Sequence, residues 1–221
     1  MPEPIRVWDL PTRAFHGLLA LGAAGLAATG LVGGNAMVWH FRLGYAVLAL
    51  LLFRLLWGVV GGRWSRFASF LYGARSVVMH LRGRSPLEHS VGHSPLGAAS
   101  VFAMLLVLLG QAGSGLLSDD EIAFAGPLTR FVSGSVVSAF TSYHKSVGKW
   151  LLLALVVLHL VAIAFYAWRK KGLVGAMLHG NKRLAAPQGL SSRDDAASRA
   201  CALVLLGVCV AAVMWVASLS A

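Results

Sequence analysis

Charge is scarce in this chain. Of its 221 residues only 12% are charged, 57% are hydrophobic, and the mean hydropathy is +0.73. Soluble domains carry about 25% charged and about 45–50% apolar residues. The shortage excludes an ordinary soluble domain and marks an integral membrane protein. Cysteine is scarcer still. Cys201 and Cys209 are too few for a disulfide framework, and neither lies in a Cys-x-x-Cys-His run that would attach a porphyrin covalently. They sit eight apart on one face of an apolar run, where packing accounts for them. Acidic residues number 8 against 19 Lys and Arg, a formal net charge of +11. In a soluble protein that balance would suggest nucleic acid. In a membrane protein the basic residues set orientation and touch anionic lipid headgroups, so no nucleic-acid partner is expected.

Long apolar runs are abundant. A spanning helix needs about 20 mostly apolar residues, and five such runs occur, at about 14–32, 38–60, 96–117, 144–168 and 200–219. Gly17, Gly22, Gly25 and Gly30 punctuate the first; small residues let helices, or a flat macrocycle, approach closely. The first run also has features of a signal peptide, with Arg6 and Arg13 ahead of it and Gly34-Asn35-Ala36 after it. It is long for that role, and cleavage would discard His16. No inverted repeat or pair of broken helices is visible, which disfavours a transporter.

The connecting segments are asymmetric in charge. Arg6 and Arg13 precede the first run. Arg63, Arg66, Arg75, Arg82 and Arg84 lie between the second and third. Arg169, Lys170, Lys171, Lys182, Arg183, Arg193 and Arg199 lie between the fourth and fifth. On the other side, residues 33–37 carry no charge, and the segment after the third run carries Asp119, Asp120 and Glu121 against Arg130. The positive-inside rule places the N-terminus in the cytoplasm and the C-terminus outside. The outer segment 118–143 is expected to hold a short surface helix.

Four histidines stand in or at the ends of the runs: His16, His40, His144 and His159. An imidazole in hydrocarbon is costly without a partner for its nitrogen. Haem iron is such a partner, and ligation by two histidines leaves no open site for oxygen chemistry. By the charge bias, His16 lies on the cytoplasmic side and His40 on the outer side. His144 starts the fourth run on the outer side. His159, fifteen residues on, lies deeper by about 22 Å of helical rise. The histidines therefore pair by depth, His16 with His159 and His40 with His144. Zinc or copper would want three or four ligands at one depth.

Several stretches resemble the prokaryotic cytochrome b561 family, which includes the b-type subunits of Ni,Fe-hydrogenases, and resemble its stand-alone branch best. They are Val7-Trp8-Asp9-Leu10-Pro11-Thr12-Arg13 running into His16; His40-Phe41-Arg42-Leu43-Gly44-Tyr45; Phe53-Arg54-Leu55-Leu56-Trp57-Gly58; Gly92-His93-Ser94-Pro95-Leu96-Gly97; His144 through His159; and Leu173-Val174-Gly175-Ala176-Met177 with Gly180-Asn181-Lys182-Arg183. The resemblance implies an all-α integral membrane protein: a four-helix transmembrane bundle holding two b haems over residues 1–185. Residues 186–221 add a linker and a fifth transmembrane helix, outside the haem core. It assigns His16 and His159 to one haem and His40 and His144 to the other. Two departures stand out. Many relatives space the fourth-helix histidines by fourteen, so fifteen here predicts a local helix irregularity. Position 94 is Ser where Asn is expected.

Haem propionates are anionic and want cations. Arg42, Lys145 and Lys149 flank the outer histidines, although snorkelling to the interface also explains them. Arg54, inside a run, is expected to touch a propionate or a quinone. His93 is a candidate contact for ubiquinone beside the inner haem. The bland reading of His89 and His93 is two solvated loop residues, and His80 and His179 are expected to be solvated or lipid-facing. Trp8, Trp39, Trp57, Trp64, Trp150 and Trp168 read as interfacial aromatics.

The expected function is electron transfer across a bacterial inner membrane, between the quinone pool and a periplasmic c-type cytochrome or redox enzyme subunit. Two alternatives stand beside it: superoxide oxidation coupled to quinone reduction, and a haem-bearing membrane anchor for a hydrogenase- or dehydrogenase-like complex.

Overall fold

The computed structural model describes residues 3–86, 89, 91–184 and 191–219. In chain order the elements are β1 (Glu3–Arg6), α1 (Leu10–Val32), α2 (Met37–Val60), α3 (Ala74–Leu81), α4 (Pro95–Leu116), α5 (Gly134–Ser142), a π-helical stretch (Tyr143–Gly148), α6 (Lys149–Trp168), α7 (Leu173–His179), β2 (Asn181–Leu184) and α8 (Ala196–Ser218). Five helical spans are long and apolar enough to cross a membrane: Leu10–Val32, Gly34–Val60, Pro95–Leu116, Gly134–Trp168 and Ala196–Ser218. The protein is a multi-pass, all-α membrane protein.

Helix starts follow capping chemistry rather than hydropathy. α1 begins at Leu10, ahead of the apolar run, because the Asp9 carboxylate accepts the backbone N–H of Thr12 at 2.8 Å. Pro11 sits in the first turn, where its missing N–H costs nothing. At α4, the N–H of Gly97 donates to Ser94 Oγ at 3.2 Å, with Pro95 as the first helical residue. At α8, Asp195 Oδ1 accepts from Ser198 N at 2.7 Å. Where a short, separate surface helix is expected between the third and fourth runs, α5 instead continues through the π stretch into α6 as one 35-residue apolar helical span, Gly134–Trp168.

The chain divides into two compact units. The first comprises Met1–Phe15, Arg54–Ala103 and Val157–Val204. Its N-terminal strand β1 pairs antiparallel with β2, Pro4 opposite Arg183 and Ile5 opposite Lys182. Gly180, at φ +83°, ends α7, and its carbonyl accepts the N–H of Val7 at 2.8 Å and of Trp8 at 3.1 Å. A side chain at Gly180 would meet Trp8 O at 2.6 Å, so glycine is required twice over. Val7, Trp8, Trp64, Val91 and Ala176 form the core beside this ribbon.

Asp9 is the polar centre of this unit and is fully buried. Besides capping α1 it accepts from Trp57 Nε1 at 3.2 Å, Gly62 N at 3.1 Å and Ser65 Oγ at 2.6 Å. Trp8, Trp57 and Trp64 are buried, which corrects their reading as interfacial aromatics; the exposed Trp39, Trp150 and Trp168 suit that role. The segment leading into α8 docks here too. Ser192 N donates to Arg6 O at 2.6 Å, and Asp194 pairs with Arg6 at 3.6 Å and Arg199 at 3.0 Å.

The second unit comprises His16–Phe53, Met104–Val156 and Leu205–Ala221. Its parts of α1 and α2 form an antiparallel hairpin with glycines on the α1 side. A Cβ at Gly22 would meet Val47 at 2.7 Å, and one at Gly25 would meet Leu43 at 2.8 Å. Close approach of this kind is what small residues permit in lipid, where dispersion rather than hydrophobicity drives packing. After α4 the chain folds back, with Leu128 N donating to Leu116 O at 3.0 Å. Asp120 Oδ1 accepts the N–H groups of Phe124, Ala123 and Ile122, which hold its carboxyl below the usual range.

Candidate haem site

His40 lies in the first turn of α2 and His144 in the π-helical stretch before α6. Their ring centroids are 6.2 Å apart, and the ring planes cross at 86°. Each ring is held through one nitrogen. His40 Nδ1 is 3.1 Å from Leu26 O, and His144 Nδ1 is 2.9 Å from Gln111 O. A carbonyl only accepts, so both Nδ1 atoms carry the proton, and each Nε2 keeps its lone pair for a metal.

The two cradles share one pattern. On α1, Leu26 offers the carbonyl, Thr29 brings its hydroxyl to 3.2 Å from His40 Nδ1, and Gly30 faces the ring edge. On α4, Gln111 offers the carbonyl, Ser114 brings its hydroxyl to 3.2 Å from His144 Nδ1, and Gly115 faces the ring edge. A Cβ at Gly30 would lie 3.2 Å from His40 Cε1, and one at Gly115 would lie 3.1 Å from His144 Cε1. Carbonyl, hydroxyl at the third following residue and glycine at the fourth thus make one seat for an imidazole, built twice. Histidines that bind metals are oriented in this way by their second nitrogen.

These residues fit a haem iron. Two imidazole nitrogens each about 2 Å from one metal place their ring centroids roughly 6 Å apart, which the observed 6.2 Å matches. The donor set is two neutral nitrogens with no carboxylate or thiolate, and no cluster of three or more His, Cys, Asp or Glu suited to a metal ion occurs among the described residues.

The irregularity expected from the fifteen-residue spacing occurs at His144 itself. The π stretch Tyr143–Gly148 widens the helix there, as an inserted residue does. Gln111 closes this turn from the side: its Nε2 donates to the carbonyl of His144 at 2.9 Å. Gly148, buried in the same turn, lies against the Gln111 side chain and Tyr143.

His16, on α1 in the second unit, is exposed; His159, on α6 in the first, is half-buried. Arg42 is exposed, with its guanidinium 5.0 Å from the Trp39 ring centre. Lys149 is likewise exposed, 5.1 Å from that of Trp150, and Lys145 donates to Asp119 O at 3.2 Å. These are the postures of interfacial cations. Arg54 differs. It is 3% exposed, packs over Phe67 at 4.7 Å, and its Nη1 has no hydrogen-bond partner. A buried orphan guanidinium nitrogen is suited to an anionic or carbonyl oxygen.

His93 is not a solvated loop residue. Its ring lies between Trp8 and Phe70, with centroids at 4.6 and 4.3 Å, and its Nδ1 is buried without a partner. Burial, and then the nearby charge of Arg54, push its pKa down to about 3. His89 likewise has a buried, unpartnered Nδ1, against Tyr72 at 4.5 Å. The solvated reading of both is therefore overturned: the loop folds under Trp8, Phe70 and Tyr72, and Tyr72 OH ties it by donating to His93 O at 2.9 Å. Ser94, at the position where Asn was expected, caps α4.

Sequence reading missed Asp9, Gln111 and the two hydroxyl–glycine seats. The signals were there: Thr29-Gly30 and Ser114-Gly115 each stand in an apolar run, each three residues after a residue whose carbonyl meets an imidazole. Only the partner helix gives that spacing its meaning.

A family model described as prokaryotic cytochrome b561 matches residues 7–180. No curated protein and no solved structure matches the chain.

Proposed function

The chain belongs to the prokaryotic cytochrome b561 family, and on that premise we propose that it moves electrons across the bacterial inner membrane through two b haems, each held by two histidines. Membership itself carries haem b binding and electron transfer in a membrane. The finer reading is that His40 and His144 hold an outer haem and His16 and His159 an inner one. Residues 1–185 form the di-haem domain, and residues 186–221 supply a linker and a further helix.

The observation that carries this reading is the His40–His144 pair: two proton-bearing Nδ1 atoms tied to carbonyls, two free Nε2 lone pairs, and a centroid spacing suited to one iron. Haem supplies reversible one-electron chemistry. The chain's own residues orient the imidazoles and surround them with apolar helices. Held by two histidines, a haem would keep no open position for oxygen or carbon monoxide.

Quinone is the proposed partner on the cytoplasmic side. The orphan nitrogens of Arg54 and His93 lie in one unit and suit the carbonyl oxygens of such a ring. The partner on the other side is a periplasmic c-type cytochrome or redox enzyme subunit. Arg42, Lys145 and Lys149 are the cations placed to meet propionates or that partner.

The test is a reduced-minus-oxidised spectrum with pyridine haemochrome quantitation. Two low-spin b haems per chain, unreactive to carbon monoxide, are expected, with His40→Ala and His144→Ala abolishing the same one. A single high-spin haem, or none, would sink the reading.

A further inference from the structure

The crossed planes of His40 and His144 are built into the protein, and one residue outside the ligand set grips the second of them from two directions. Gln111 receives the His144 Nδ1 proton on its backbone carbonyl at 2.9 Å and donates its side-chain amide to the His144 carbonyl at 2.9 Å. The second bond matters because of the π stretch. A π turn takes backbone carbonyls out of the ordinary helical ladder, and in hydrocarbon a free carbonyl must find another donor. The amide of Gln111 is that donor. Ser114, one turn on, donates its hydroxyl to Gln111 O at 2.9 Å, so the accepting carbonyl is itself held. Gly148 completes the device. A Cβ there would collide with Gln111 Oε1 and lie 2.8 Å from the Tyr143 ring.

We propose that Gln111 is a positioning residue that locks the π turn and fixes the His144 ring crosswise to that of His40, setting the electronic state of the haem between them. The proposal rests on the bis-histidine reading of that pair. Its physical basis is general. Axial imidazole planes at right angles leave two iron d orbitals nearly equal in energy, whereas parallel planes split them. Ring orientation is therefore readable as the anisotropy of the low-spin ferric signal. The seat on α1 has no counterpart of the amide bond: position 26 is Leu, and His40 lies in regular α-helix. The lock is thus particular to His144.

The experiment uses the full-length protein, purified with its haem, and electron paramagnetic resonance of the oxidised form. The wild type should show a highly anisotropic low-spin signal for the His40–His144 haem. Gln111→Ala should retain two haems per chain while that signal moves toward the smaller anisotropy of tilted planes, and its midpoint potential should shift while that of the other haem stays put. Gly148→Ala should give the same change by pushing the amide aside. In the Gln111→Ala background, Gly148→Ala should add less than it does in the wild type, because the clash with Gln111 has gone and only that with the Tyr143 ring remains. Unchanged anisotropy and potential in both single variants, with both haems bound, would overturn the proposal. So would full additivity in the double variant. Failure of the underlying reading looks different: the wild type itself would lack the second haem.

Discussion

At Gly115 a missing side chain decides where an imidazole can lie. A Cβ there would stand 3.1 Å from His144 Cε1 and 3.5 Å from Nδ1, tighter than the ring tolerates without turning. Valine adds two methyls beyond that point, and the ring cannot retreat without breaking its 2.9 Å bond to Gln111 O. Gly115→Val should therefore reduce haem content from two per chain to one, read by pyridine haemochrome. Gly113→Val is the control. It lies on the same helix but meets nothing within 4 Å, so it should keep both haems at a similar cost in helix propensity.

His93 illustrates the opposite case, a side chain whose charge the fold refuses. Its pKa falls from 6.5 to about 3 through burial and the charge of Arg54. Between those values the unfolded chain binds a proton that the folded chain does not. Stability therefore rises with pH across this window, and is lost as pH falls below 6.5, by up to about 1.4 kcal/mol per unit. Thermal unfolding in detergent at pH 7 and pH 5 should show a larger loss for wild type than for His93→Gln. Equal losses would mean the ring takes up its proton in the folded state. A ring kept neutral in this way can bond a quinone carbonyl without adding a second positive charge beside Arg54.

Among the elements, the start of α1 and the end of α2 hang on one carboxylate. Asp9 accepts from Thr12 N, Trp57 Nε1, Gly62 N and Ser65 Oγ. Asn at this position keeps one acceptor oxygen and turns an NH2 group toward donors. Two or more buried donors lose their partner, each costing about 1–3 kcal/mol. Asp9→Asn should lower stability by about 3 kcal/mol or more, visible as a lower midpoint of thermal unfolding. A midpoint within a degree of wild type would show that the bonds do not carry that weight. What was legible in the sequence divides along the same line. The five apolar spans follow from hydropathy, which is local, and the irregularity in the fourth from its histidine spacing set against that of the resembling family. The β1–β2 pairing and the hub at Asp9 join residues far apart in the chain, and no periodicity announces them. Asp9 was visible only as part of a resemblance, and Gln111 read as one polar residue in an apolar helix until the π turn gave its amide a task.

For the whole molecule, orientation decides what the two proposed haems can reach. Fourteen of the 19 Lys and Arg lie in segments that flank one set of helix ends; the other five are Arg42, Arg54, Arg130, Lys145 and Lys149. Each basic residue near an anionic leaflet is worth about 1 kcal/mol, so the bias outweighs any plausible contribution from the opposite side. α3 and α7 add to it, since they present exposed Val78, Leu81, Val174 and Leu178 beside Arg75, Arg82 and Lys171, as helices lying in an interface do. Single cysteines introduced into a Cys201→Ser, Cys209→Ser background should report this orientation. Ser133→Cys, in the segment before α5, should react with a membrane-impermeant maleimide added to intact spheroplasts, and Ser76→Cys, on α3, only after lysis. The reverse pattern would place the haem proposed for His40 and His144 on the cytoplasmic side. Quinone would then have to meet the chain on the periplasmic side, at Arg54 and His93, and the soluble partner would have to be cytoplasmic. The sides proposed above for quinone and for the second partner depend on this one distribution of charge, which makes the labelling pattern their most economical check.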